Sequence, residues 1–77
     1  MPSTPATTVI RLRAEAFAAW MARLRIGAYA QQAEYIGVDA STLRRIRRGE
    51  IVPGEQFIAA CMAKYDRKFE ELFQVTS

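Results

Sequence analysis

The stretch GVDASTLRRIRRG, residues 37–49, holds Arg44, Arg45, Arg47 and Arg48, four arginines in five residues with no acid among them. A guanidinium is a planar fork of N–H donors that pairs with phosphate oxygens or with N7 and O6 of guanine, so this cluster has the chemistry to grip or read a nucleic acid. The competing reading is a solvated helix end, where the helix dipole favours cations. Other chemistries have little to work with. The chain has no histidine and one cysteine, Cys61, which removes the usual acid–base residue, a zinc ligand set and an internal disulfide. With no phosphate loop either, no catalytic residue, metal or cofactor is assigned and an enzyme is not expected.

The arginines need elements to hold them. Phe17, Trp20, Met21 and Leu24 are spaced i, i+3, i+4, i+7, which predicts a first helix from Ala14 to near Gly27. Residues 28–35, AYAQQAEY, predict a second helix stopped at Gly37. Asp39 or Ser41 can cap a third, running from about Ala40 to Arg48, with Leu43 and Ile46 inward and Gly49 as its stop. Pro53 suits the first turn of a fourth helix striped by Phe57, Ile58, Cys61, Met62 and Tyr65. A short fifth helix, RKFEEL, follows Asp66. TVIRL (residues 8–12) and the terminal LFQV read as extended, and strands need partners for their backbone groups, so the two are expected to pair with each other or with a neighbouring subunit.

Seventy-seven residues allow one domain, close to the size at which a core can hold a fold unaided. MPSTPA, residues 1–6, reads as a disordered leader, leaving 7–77 as the folded unit. No apolar run reaches 18 residues and no signal peptide is legible, so a cytoplasmic protein without a membrane span is expected. The net charge of +3 conceals an asymmetry: residues 1–48 carry eight arginines against Glu15, Glu34 and Asp39, whereas residues 49–77 carry three bases against five acids. The basic half is expected to face something anionic, or nothing at all.

Ala33, Gly37, Val38, Leu43 and Ile46 have the spacing of two helices crossing through a tight turn: small at the crossing, glycine at the turn, apolar anchors after it. With Ser41, Thr42, Gly49 and Pro53 the stretch resembles the Cro and phage-repressor type of helix-turn-helix family, also called XRE-like, with its pattern A-x-x-x-G-V-x-x-S-T-[IL]-x-x-[IL]-x-x-G-x-x-x-P. FIAACMAKYDRKFEELF is similar to that family's fourth and fifth helices, so the resemblance spans about residues 14–73. The two ends are similar to small actinobacterial and actinophage members with an added strand pair. The resemblance implies an all-α, lambda-repressor-like bundle of five helices with a small strand pair formed by the chain ends.

It also implies roles. In such proteins the third helix enters the major groove, which would set Ala40, Ser41, Arg44 and Arg45 against base edges. The Ala40 and Thr42 methyls would suit thymine and the two arginines guanine. Phosphate contacts are expected from Tyr29, which stands where the family has glutamine, from Gln31 or Gln32, and from Thr42, Arg47 and Arg48. The amides of Gly54 and Gln56 at the start of the fourth helix can hold another phosphate, which Glu55 would oppose if it faced the DNA. Many members pair an arginine of the first helix with a glutamate two residues before the closing glycine. Ala22 and Arg47 stand there instead, which would free Arg47 for solvent or phosphate.

Together these point to a sequence-specific double-stranded DNA-binding regulator, a Cro-like or immunity-type repressor acting by operator occupancy. No small-molecule ligand is evident. A homodimer is expected because useful specificity calls for two half-sites, with the fifth helix and end strands as one place for the contact. Rival readings are an antitoxin or excision-control protein that also binds DNA, and a protein-interaction module that keeps the fold alone. Trp20, Phe17, Phe57, Met62, Leu72 and Cys61 are expected in the core, Glu70 and Glu71 on a solvated face.

Overall fold

In the computed structural model, which describes residues 8–76, the element order is β1 (Val9–Leu12), α1 (Ala14–Arg23), α2 (Tyr29–Ile36), α3 (Ala40–Arg47), α4 (Glu55–Met62), α5 (Phe69–Leu72) and β2 (Phe73–Thr76). The leader expected over residues 1–6 lies outside the described residues. The described residues are thus mostly helical, with five helices and one two-stranded antiparallel sheet.

The two ends do find each other. Val9 pairs with Thr76, Ile10 with Val75, Arg11 with Gln74 and Leu12 with Phe73. The ladder continues into the helices through Arg13 N–H, which donates to the Leu72 carbonyl at 2.8 Å. The Arg13 side chain adds a second tie, donating from Nε to Glu70 O at 3.1 Å and from Nη1 to Gln74 Oε1 at 3.3 Å. One sheet face is apolar: Leu12 and Phe73 are buried in the core, and Phe73 meets Phe57 edge-on at 6.4 Å and stacks on Phe69 at 5.2 Å.

Phe17, Trp20 and Met21 of α1 enter the same core with Ala33 and Ile36 of α2, Leu43 and Ile46 of α3, and Phe57 and Cys61 of α4. Trp20 is its aromatic hub, edge-to-face with Phe17 at 5.6 Å, Tyr35 at 6.2 Å and Tyr65 at 5.0 Å. Of the expected core residues, Met62 is only half-buried, at the border of the α4 stripe.

α4 ends at Met62, before Tyr65 of its expected stripe, and three further boundaries differ from the sequence expectation. α1 stops at Arg23, before Gly27: Arg25 takes φ 60°, its N–H reaching Ala22 O and that of Ile26 reaching Met21 O. This is a Schellman-type stop, usually given to glycine but made here by arginine. Pro53 is not in the first turn of α4; it is buried just before the Gly54 N-cap. The fifth helix is four residues long and starts at Phe69, because Lys68 is extended and Glu71 reaches back to the Lys68 N–H at 3.5 Å. No helix among the described residues is long and apolar enough to cross a membrane.

Candidate nucleic-acid interface

The turn between α2 and α3 is built locally. α2 ends on Gly37 at φ 92°, whose N–H and that of Val38 both donate to Ala33 O, at 2.7 and 2.9 Å. Asp39 then caps α3: its Oδ2 accepts from the N–H groups of Ser41 and Thr42, each at 3.1 Å, and from the Ser41 hydroxyl at 2.5 Å. The Ser41 hydroxyl, followed by the Thr42 N–H, holds the Asp39 carboxyl below its ordinary value of 3.8. Gly49, at φ 77°, closes α3 with bonds from its own N–H to Ile46 O and from Glu50 N–H to Arg45 O.

Leu43 and Ile46 face the core, and the opposite side of α3 is an exposed stripe of Ser41, Arg44, Arg45 and Arg48 at i, i+3, i+4, i+7. Among the described residues the Arg44 and Arg45 side chains have no hydrogen bond or ion pair within the protein, so their donors are open to an outside acceptor. Arg48 shares the stripe but its Nε lies 3.2 Å from Glu50 Oε2, an exposed pair that weakens its claim on a phosphate. Ser41 is exposed with its proton committed to Asp39, leaving it an acceptor. Ala40 is half-buried at the edge of the stripe.

The candidate phosphate residues separate. Gln31 and Gln56 are exposed, Gly54 is the exposed N-cap of α4, and Thr42 is half-buried. A recess between the first turns of α3 and α4 brings Thr42, Gly54 and Gln56 together, with Asp39 and Glu55 also lining it. Two carboxylates there oppose the approach of an anion to the α4 amides.

Two assignments are corrected. Gln32 is buried, 4% exposed: its Nε2 donates to the carbonyls of Ile26 and Gly27 at 3.2 and 3.3 Å, and its Oε1 accepts from Arg47 Nη1 at 3.0 Å. It has no side-chain group left for a phosphate. Arg47 is not released to solvent. Its guanidinium lies 5.2 Å from the Phe17 ring centre and 5.1 Å from that of Tyr29, so half-buried Tyr29 is also engaged inside. A signal for both was present in the spacing. Arg47 follows Leu43 by four residues, and Tyr29, Gln32, Ala33 and Ile36 form an i, i+3, i+4, i+7 stripe. Glu50, which competes for Arg48, lies just past the Gly49 stop and outside the arginine cluster.

Comparison with protein-family models, curated proteins and solved structures gives no match to this chain.

Proposed function

We propose that the chain is a sequence-specific double-stranded DNA-binding regulator of the phage-repressor-like helix-turn-helix kind, repressing by occupying an operator. The observation that carries this reading is the exposed α3 stripe, where Arg44 and Arg45 have no partner among the described residues and stand on a helix capped and anchored at both ends. A short rigid helix with one apolar and one cationic face fits the major groove, and arginine there selects guanine. Thr42 and Ala40 border the stripe with methyl groups suited to thymine. Two copies on half-sites about one helical turn apart would give the specificity that a single small module lacks.

The test is selection of bound duplexes from a random pool at about physiological salt, where purely electrostatic binding is weak. A G-containing inverted repeat is the expected product. Arg44→Ala and Arg45→Ala should each cost about 1–3 kcal/mol on that site and relax the preference at one base pair. No enrichment by the folded protein would overturn the reading in favour of a protein partner for the stripe.

A further inference from the structure

Arg47 carries an arrangement that packing alone does not call for. From the last turn of α3 it reaches between the Phe17 ring of α1 and the Tyr29 ring of α2, and donates to Gln32, which in turn holds the Ile26 and Gly27 carbonyls of the α1–α2 connection. Its Nε is buried without a hydrogen-bond partner among the described residues. An unbranched apolar side chain would fill the same space without leaving a buried donor unpaired. What an apolar side chain lacks is direction. Leu43 and Ile46 hold α3 by contacts that tolerate small rotations, whereas a planar guanidinium between two rings and aimed at one carbonyl oxygen does not.

We propose that Arg47 is a positioning residue, setting the rotation of α3 against α1 and α2 and hence the direction in which Arg44 and Arg45 leave the surface. The proposal rests on the DNA-binding reading above for its consequence, and on the Phe17–Arg47–Tyr29–Gln32 contacts for its geometry. It separates Arg47 from its three neighbours in the cluster: they face outward, and it decides where they point.

The test compares Arg47→Met, Arg47→Lys and Gln32→Leu with the parent chain. Affinity for the selected duplex and for an unrelated duplex is measured across a salt series, and amide hydrogen exchange of α3 is followed in the free protein. Positioning predicts that the ratio of selected to unrelated affinity falls about tenfold or more, as for one misplaced arginine–guanine pair. The slope of log affinity against log salt stays unchanged, and α3 amides exchange faster in all three variants. If Arg47→Met does not fold, Arg47→Lys, which keeps the charge but loses the planar fork, carries the same expectation. A slope reduced by about 0.9 in Arg47→Met, with equal weakening on both duplexes, would make Arg47 a phosphate contact and overturn the proposal. An unchanged affinity ratio with unchanged exchange would overturn it too. If the parent binds no DNA, the functional reading falls by itself, and α3 exchange alone decides whether Arg47 holds the helix.

Discussion

Gly37→Ala isolates the turn on which α3 hangs. A Cβ built at Gly37 meets nothing within 4 Å, so the substitution introduces no clash and creates no cavity. Both bonds into Ala33 O come from backbone N–H groups, which alanine keeps. The penalty is therefore conformational: holding an L-residue at φ 92° costs about 1–2 kcal/mol, offset in part by the smaller entropy of the unfolded alanine chain. A net loss of about 1 kcal/mol should lower Tm by roughly 4–8 °C in a domain of this size. Gly27→Ala is the internal control, since its Cβ also meets open space and its φ is not positive. That variant should match the parent or exceed it by about 0.4–1 kcal/mol. Thermal and urea unfolding followed by circular dichroism measure both. Equal stability of the two variants would refute the argument that positive φ is what Gly37 supplies.

Three further outcomes follow from individual residues. Arg25→Gly should raise stability by about 0.5–1 kcal/mol, because arginine occupies the left-handed position that glycine adopts without strain, and a urea midpoint no higher than the parent's would count against it. The folded-state pKa of Asp39 is depressed, so its cap contribution is fully present above the unfolded value of 3.8 and is lost as pH falls through the lower folded value. Asp39→Asn should lack this segment of the acid-unfolding profile, which pH-dependent urea midpoints will show. Burial pushes the Cys61 thiol up to about 12, so native protein at pH 8 should resist thiol reagents and react promptly once unfolded in urea.

Much of the fold was legible in the chain because its signals are local. The stripe Phe17, Trp20, Met21 marks the buried side of α1 without reference to any other element, and Gly37, Asp39 and Gly49 act on backbone groups within five residues of themselves. The outward side of α3 is legible for the same reason, since Leu43 and Ile46 dictate where Arg44 and Arg45 must lie. Even the strand pair could be anticipated, from the requirement that two lone extended segments satisfy their backbone groups.

The rest depended on contacts between distant parts. Arg47 and Gln32 lie at the border between the buried and exposed sides of their helices, and a period of 3.6 does not say what a neighbouring helix offers a side chain placed there. Only the packing of α1, α2 and α3 supplied two rings and a carbonyl oxygen, which drew the guanidinium inward. The early stop of α1 has the same character: nothing in arginine itself asks for φ 60°, and Arg25 takes it where the chain must turn toward α2. By itself the sequence determined which stretches favour helix, that the chain turns at Gly37 and Gly49, and that one helix is cationic. The tertiary structure decided which three of the four arginines face outward, because burial of a polar side chain depends on the partners it finds.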